Sequence, residues 1–262
     1  MSAVPPSVPL LPPPAPAPPP PPAGSRAAHR PLIKAAIALA GAACLVTAVL
    51  AGRAARAEQT RPPTTAERSA AAAAAVAGRW QAWRAGRIFP ATLGYVSNLR
   101  TRENARRVGI AAANGCAAAL TGPLVAAARA DGCHAALRAT YLDQLEGVVY
   151  TTGVLAFPTP RRAAAFASAA GHRALPAGLR AFGPAGTAAA RFTDAARQAW
   201  AVRQAGPYVL VTVAGYTDGR AAAATGERRP SVFAPAGQLA QDILTPLARP
   251  ARVDCASRAW AC

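Results

Sequence analysis

An uncharged run of 18 residues, from Ala35 to Gly52, restricts the fold of this chain more than any other feature of its sequence. Its residues, AAIALAGAACLVTAVLAG, make a helix about long enough to cross the hydrocarbon core of a bilayer. Lys34 precedes the run and Arg53 follows it. The sequence therefore predicts a transmembrane helix over residues 32–52, which places the rest of the chain on one side of a membrane or the other.

The alanine content of this run leaves three interpretations open. Eight of the 17 residues from Ala35 to Ala51 are alanine, which favours insertion less than leucine, isoleucine or valine does. The segment is an uncleaved signal anchor, a cleaved signal peptide with its cleavage site after Ala57, or a buried helix of a soluble protein. We favour the signal anchor, because the apolar run is longer than the core of an ordinary signal peptide.

Flanking charge gives little information on orientation, because three basic residues precede the run and four follow it closely. These residues are Arg26, Arg30 and Lys34 before it, and Arg53, Arg56, Arg61 and Arg68 after it. The predicted orientation, with the C-terminal part outside the cytoplasm, therefore rests on the cysteines described below.

The sequence divides into four parts. Residues 1–31 hold 13 of the 26 prolines and predict a disordered, extended tail. A docking ligand for a proline-binding module is one interpretation of this tail, and a low-complexity leader is the one that we favour. After the transmembrane helix, residues 53–63 are expected to form a linker, and residues 64–262 are long enough for one domain with a substantial core.

Arginine accounts for 28 of the 29 basic residues, and Lys34 is the exception. Residues 58–262 carry 24 basic and 11 acidic residues, a net charge of +13, so this part is expected to be attracted to anionic surfaces. The arginines are scattered singly rather than clustered among exposed aromatic residues, which argues against nucleic-acid binding. We therefore interpret most of them as solvated surface residues.

The first part of this domain is predicted to be helical and then extended. Thr64 and Glu67 form a capping-box pattern, which begins a helix that is expected to carry Trp80 and to end at Gly86. The segments ATLGYV and RRVGIA are typical of short strands. A second helix is predicted over residues 113–130.

The clearest unit is a hairpin made of HAALRATYLD and GVVYTTGVLAF, joined at Asp143–Gly147. Both faces of its second run are apolar, which is typical of a central strand. Thr159 and Pro160 predict the start of a helix, a second hairpin turns across Ala205–Pro207, and Pro235 begins a last helix. Helices and hairpins alternate without a repeated βα pattern, so we predict an α+β domain with a mainly antiparallel sheet.

Four cysteines lie outside the apolar run, an even number that predicts two disulfides in an exported domain. They are Cys116, Cys133, Cys255 and Cys262, and among the three connectivities we favour Cys116 with Cys133 and Cys255 with Cys262. Oxidised cysteines indicate an extracytoplasmic location. A zinc site that includes Cys133 and His134 is the alternative, but the spacings of the cysteines differ from those of zinc knuckles.

No residue pattern predicts catalysis or a bound cofactor. After the apolar run the histidines are His134 and His172, and no GxSxG, HExxH or Walker pattern occurs. We interpret His172 as a helix C-cap, and Asp143 and Glu146 as residues of a hairpin turn rather than an acid–base pair. We therefore predict no catalytic residue, no metal ligand and no cofactor.

Three segments carry a resemblance to known sequences. GRIFPATLGY, CHAALRATYLDQ and GPYVLVTVAGYTDGR resemble parts of uncharacterised single-pass membrane proteins of high-GC actinobacteria such as streptomycetes. The resemblance covers most of residues 80–262. That family has no established activity, so the resemblance implies a cell-envelope setting and transfers no catalytic or binding residue.

Together these patterns predict a membrane-anchored extracytoplasmic interaction or sensor-like module of the cell envelope that is not catalytic. Its expected partners are the lipid bilayer, through the transmembrane helix, and an anionic envelope component or an envelope protein. A cell-envelope enzyme with an unrecognised active site is the alternative. The two differ in what a structure should show, because an enzyme needs a concave pocket with converging titratable groups.

Overall fold

The computed structural model describes residues 29–113, 115–172, 178–222, 230–255 and 257. The chain divides into two compact units, with the boundary between Pro62 and Pro63. Residues 1–28 of the tail that is predicted over residues 1–31 lie outside the described residues.

The first unit contains helix α1 (His29–Thr60). From Pro31 to Thr60 this helix is long and apolar enough to cross a membrane, and its most apolar 18-residue window has a mean hydropathy of 2.2. The sequence predicts a linker from residue 53, but the helix continues to Thr60, because this alanine-rich segment consists mostly of good helix formers. The first eight residues of the predicted linker are therefore helical.

The second unit contains helices and strands in alternation. Its helices are α2 (Thr65–Ala77), α3 (Arg79–Ala82), α4 (Ala85–Ile88), α5 (Cys116–Ala119), α6 (Pro123–Ala130), α7 (Pro160–Gly171) and α8 (Pro235–Ala248). Its strands are β1 (Thr92–Val96), β2 (Arg102–Ile110), β3 (Leu120–Thr121), β4 (Ala135–Leu142), β5 (Val148–Ala156), β6 (Gly178–Leu179), β7 (Ala199–Ala205) and β8 (Tyr208–Tyr216). Short 3₁₀ turns lie at Ala188–Arg191, Asp194–Ala196 and Pro230–Phe233.

Six strands form one antiparallel sheet in the order β1-β2-β4-β5-β8-β7, and β3 pairs separately with β6. Helix α8 contacts both edge strands, β1 and β7, which a flat sheet of this width would not allow. The sheet is therefore curled around α8, and a bulge in β2 between Arg107 and Gly109 increases the bend. The structure confirms the predicted α+β class and the central position of β5.

A hydrophobic cluster fills the concave face of the sheet. Helix α8 contributes residues that the sequence places on one side of a helix, and each is at most 1% exposed: Leu239, Ile243, Leu244 and Leu247. The hydroxyl of Tyr208 donates to the Val76 carbonyl oxygen at 2.6 Å and accepts from the Trp80 amide at 3.3 Å. These two bonds join α2 and α3 to the sheet.

The convex face holds a second cluster, which α5, α6 and α7 cover. Phe166 of α7 and Leu179 of β6 are fully buried in it. The segment after β6 docks onto two buried threonines of the sheet, because Thr140 donates to the Phe182 carbonyl oxygen at 2.5 Å and the Phe182 amide donates to Thr151 at 3.1 Å. These side-chain hydrogen bonds thus hold the segment after β6 on the convex face of the sheet.

Two arginines, Arg138 and Arg197, are buried. The prediction that the arginines are solvated surface residues is therefore wrong for these two. Arg138 is 8% exposed and Arg197 is 4% exposed. Arg138 donates to the Arg180 carbonyl oxygen at 3.2 Å, and Arg197 donates to the Leu179 carbonyl oxygen at 2.9 Å. These two arginines are buried because their guanidinium groups donate hydrogen bonds to backbone carbonyl oxygens of β6 and of the residue after it. The sequence does not show these partners, so the prediction of a solvated side chain is wrong at these two positions.

Two predicted helices are interrupted at glycines. The helix that begins after Thr64 ends at Ala77, and Trp80 belongs to the separate short helix α3. The helix predicted over residues 113–130 is split into α5, β3 and α6. Gly122 has a φ of +58°, a conformation that glycine adopts without strain, and Pro123 then begins a new helix.

Local signals at the other element ends are confirmed. Thr64 and Glu67 form the capping box, and Thr159 accepts a hydrogen bond from the Arg162 amide at the start of α7. The predicted turns join β4 to β5 and β7 to β8. These signals depend on a few adjacent residues, so the sequence alone is sufficient to place them.

Candidate functional site

The structure joins Cys116 to Cys133, the pairing that the sequence favours, with Cα atoms 6.3 Å apart. The bond ties the start of α5 to the residues before β4. Cys255 is also disulfide-bonded, and Cys262 lies outside the described residues. Cys44 is a free and exposed thiol on α1.

The two candidate histidines lie in separate places. His172 is exposed and occupies the C-cap of α7 as predicted. His134 is exposed beside a surface cleft of about 530 Å³, and among the residues that line this cleft it is the one titratable side chain. Within the described residues, no group of three or more His, Cys, Asp or Glu side chains is arranged to hold a metal ion.

The two carboxylates of the β4–β5 turn have separate contacts. The Asp143 carboxylate accepts a hydrogen bond from the Val148 amide at 2.8 Å, and burial raises the pKa of this carboxyl group. Glu146 has a φ of +56° and pairs with Arg106 of β2. The Asp143 contact lies within the hairpin turn, the role that the sequence analysis assigns to these residues, whereas the Glu146 contact joins the turn to β2.

Strand β7 is the most open element of the sheet. In the described part of the chain it is paired with β8 on one side and with no strand on the other. Residues Ala199, Trp200, Ala201 and Val202 are uncharged and half-buried. An apolar edge strand with free backbone groups is a template for pairing with another extended chain.

The turn after β7 determines which of its backbone groups point away from the sheet. A two-residue turn, Gly206–Pro207, connects Ala205 to Tyr208, and the φ of +55° at its glycine suits a type II′ turn. The two flanking residues form a hydrogen-bonded pair, so alternate residues of β7, Val202 among them, point their N–H and C=O groups outward. Accordingly, Arg203 Nη1 donates to the Val202 carbonyl oxygen at 2.9 Å.

A cleft of about 490 Å³ runs along this edge. Its walls come from β7, the end of α7 and the start of α8, and they consist of Gly171, Ala199, Trp200, Ala201, Val202, Arg203, Pro230, Phe233, Ala234, Ala236 and Gly237. A second cleft of about 380 Å³ shares Arg203, Ala234 and Gly237 with the first and adds Gln238, Gln241 and Asp242. We call the two together the β7 groove.

The β7 groove is mainly apolar and carries one charge of each sign, Arg203 and Asp242. Neither side chain forms an ion pair with another described residue. Burial raises the pKa of the Asp242 carboxyl group. The Arg203 guanidinium is held at the edge by its hydrogen bond to the Val202 carbonyl oxygen. A carboxylate of a bound partner would therefore form a charge-assisted hydrogen bond with it there.

The opposite edge of the sheet is different, because the side chain of Gln238 occupies backbone groups of β1 there. One residue of α8 therefore covers part of β1, while the N-terminal part of the same helix lines the open β7 groove. At Val96 of β1 both the N–H and the C=O are thus bonded by a side chain. At Val202 of β7 only the C=O is bonded in this way, by Arg203, so its outward N–H is left for a pairing strand.

No protein-family model matches the chain, and comparison with curated proteins and with solved structures finds no match. The resemblance to single-pass actinobacterial proteins therefore stays a prediction.

Sequence reasoning did not identify the β7 groove. The segment AWAVRQ has the alternation of a strand, but the sequence does not reveal that this strand lies at an edge. One weak signal is present, since edge strands often carry a charged residue, and β7 carries Arg203. The rest of the groove comes from α7 and α8, whose residues are distant in sequence.

Proposed function

We propose that this protein is a membrane-anchored, extracytoplasmic interaction module of the cell envelope, held in the bilayer by α1 and presenting the β7 groove to a partner. The module is not catalytic, and its anchor is an uncleaved signal anchor that follows a disordered, proline-rich cytoplasmic tail. An envelope protein or an anionic envelope component is the partner class that its basic composition favours.

The observation that carries this proposal is the open β7 edge beside an apolar groove. A groove of this kind binds through main-chain hydrogen bonds and small side-chain pockets, whereas catalysis needs titratable groups that converge on one point. The polar side chains of the groove are Arg203, Gln238, Gln241 and Asp242, so it contains one carboxylate and no hydroxyl, thiol or histidine to pair with it.

The extracytoplasmic location is supported by two features. Helix α1 is long and apolar enough to cross a membrane, and Cys116 and Cys133 form a disulfide. Disulfides persist in oxidising compartments and are rare in the cytosol. The free thiol, Cys44, lies within the apolar helix rather than in the second unit.

The topology is tested by labelling intact cells with a membrane-impermeant maleimide. The background is the full chain with Cys44→Ala, and one reporter thiol is added as Leu145→Cys, because Leu145 is 86% exposed on the β4–β5 turn. A matched reporter is Ser2→Cys in the tail. We expect the Leu145→Cys chain to be labelled in intact cells and the Ser2→Cys chain only after lysis.

Two results would contradict the proposal. Labelling of Leu145→Cys only after lysis would place the second unit in the cytoplasm. Release of the second unit into the medium, with loss of the tail, would show that α1 is cleaved as a signal peptide.

A further inference from the structure

We propose that the partner of the β7 groove is an extended protein segment that adds to β7 as a seventh strand and places a carboxylate against Arg203. This inference rests on the proposed function, since it specifies what the interaction module binds. The segment alternates small apolar residues with other residues and contains at least one aspartate or glutamate.

The backbone of β7 provides the first argument. The outward N–H and C=O groups of Val202 have no strand partner in the described part of the chain. Arg203 donates to the Val202 carbonyl oxygen from its own side chain, a contact that a partner's N–H would replace. An added strand would form the same ladder that β8 forms on the other side.

The side chains beside β7 provide the second argument. Small residues line the groove at Gly171, Ala234 and Gly237. At Gly237 the Arg203 guanidinium already fills the space, since its Nη2 lies 2.8 Å from the position of a Cβ, so room for a side chain of an incoming strand is found at Gly171. No atom lies within 4 Å of the position that a Cβ would take on Gly171. Because successive side chains of a strand point to opposite faces, a bound segment would place alternate residues toward α7 and α8.

Charge identifies the occupant as an acidic segment rather than a second copy of this chain. Arg203 stands at the edge without an acidic partner among the described residues, and residues 58–262 carry a net charge of +13. Two copies that met edge to edge would bring together two domains of this net positive charge, which like-charge repulsion opposes, although Asp242 of each copy would then stand near Arg203 of the other. A carboxylate opposite Arg203 would form a charge-assisted hydrogen bond instead.

The test is a selection of binders from a display library of random ten-residue peptides. The bait is the full chain in nanodiscs of neutral phosphatidylcholine, and the enriched peptides are then synthesised and their affinities measured. Val202→Pro removes one outward N–H, and proline is tolerated on an edge strand where that N–H faces solvent. Arg203→Glu reverses the charge at the edge, and Arg102→Glu makes the same change on the exposed surface of β2 as a matched control.

We expect enriched peptides to alternate apolar residues and to contain aspartate or glutamate. Val202→Pro and Arg203→Glu should each weaken binding by at least about tenfold, while Arg102→Glu leaves the affinity within about twofold. Folding of each variant is checked by its urea midpoint. Arg203→Glu keeps the proposal testable if Val202→Pro does not fold.

Several results would overturn the inference. The first is an absence of enrichment, which would follow if a second copy occupied the edge. The second is enrichment of proline-rich or helix-forming peptides. The third is peptide binding that Val202→Pro and Arg203→Glu do not change. A dimer mass in native mass spectrometry that Val202→Pro abolishes would identify a second copy as the occupant. The selection in nanodiscs does not depend on cellular topology, so its failure is distinguishable from a failure of the maleimide test.

Discussion

The side-chain amide of Gln238 pairs with both backbone groups of Val96, as a neighbouring strand would. Gln238 Oε1 accepts from the Val96 amide at 2.9 Å, and Gln238 Nε2 donates to the Val96 carbonyl oxygen at 3.0 Å. Helix α8 is thereby fixed to the end of β1. Because few other side chains carry both a donor and an acceptor in this arrangement, the contact is specific to glutamine or asparagine chemistry.

We expect Gln238→Ala to lower the free energy of unfolding by about 1–2 kcal/mol, because it removes two hydrogen bonds of ordinary strength. Gln241→Ala, one turn further along α8, is the control, since Gln241 bonds through its side chain to Thr245 alone. Urea unfolding in detergent micelles measures both. Equal losses in the two variants would show that the Val96 contact has no special role.

Tyr208→Phe should destabilise the second unit by about 1–3 kcal/mol, since the hydroxyl is fully buried and the Trp80 amide and Val76 carbonyl would lose a partner. Tyr216→Phe is the control, because the half-buried Tyr216 contacts Phe233 through its ring and its hydroxyl makes no hydrogen bond to a described residue. Thermal unfolding compares the two. A midpoint for Tyr208→Phe that matches Tyr216→Phe would contradict this account.

Gly215→Ala should be strongly destabilising, because a Cβ at this position would lie 2.2 Å from the Ala196 carbonyl oxygen. Backbone atoms cannot move aside as a flexible side chain would, so we expect a loss of about 1–3 kcal/mol. At Gly171 no atom lies within 4 Å of the added Cβ, and Gly171→Ala should be neutral or slightly stabilising. Chemical denaturation of both variants would refute the prediction if their midpoints agreed.

Removing the disulfide with Cys116→Ala and Cys133→Ala together should lower stability by about 3 kcal/mol, the amount that the chain-entropy model gives for a loop of about this length. The two residues are 17 apart in sequence. Cys44→Ala is the control, because this thiol is free and exposed. An unchanged melting temperature in the double variant would mean that the loop is already ordered without the bond.

Asp242 and Asp218 should contribute to the pH dependence of the free energy of unfolding with opposite signs. Burial raises the pKa of Asp242, so this group binds a proton more tightly in the folded chain, and its favourable contribution is lost as pH rises through its folded pKa. The Arg220 amide lowers the pKa of Asp218, with the Arg220 side chain adding to the effect, so its contribution is lost as pH falls through its folded pKa.

These signs are measured by subtracting the stability curves of Asp242→Asn and Asp218→Asn from that of the unmodified chain between pH 2 and 7. We expect Asp242→Asn to gain stability relative to the unmodified chain as pH rises. We expect Asp218→Asn to lose stability relative to it over the same range. Difference curves of the same sign would contradict the assigned surroundings of one of the two groups.

The sequence predicted those parts of the fold that depend on neighbouring residues. The β4–β5 hairpin, the turn at Gly206–Pro207 and the helix that begins at Pro235 are all signalled by short patterns. It did not predict that β5, which pairs with β4 on one side, pairs with β8 on the other, because both faces of either strand are apolar and many partners would satisfy them.

The candidate site was less accessible to sequence reasoning. Arg138 belongs to a strand of alternating pattern, where an arginine ordinarily marks the solvent side, yet it is 8% exposed because the segment after β6 covers it. Likewise Arg203 becomes significant only through the position of β7 at an edge. Both depend on contacts between residues distant in the chain, which single-sequence patterns do not encode.

Helix α8 follows every strand in the chain, and yet it fills the concave face that β1, β5, β7 and β8 share. While the polypeptide emerges during synthesis, from its N-terminal end onward, the sheet cannot bury that face until residues up to Leu247 have appeared. Nascent chains therefore expose this apolar surface for most of their synthesis. Until α8 has emerged, the concave face of the sheet therefore lacks the helix that covers it.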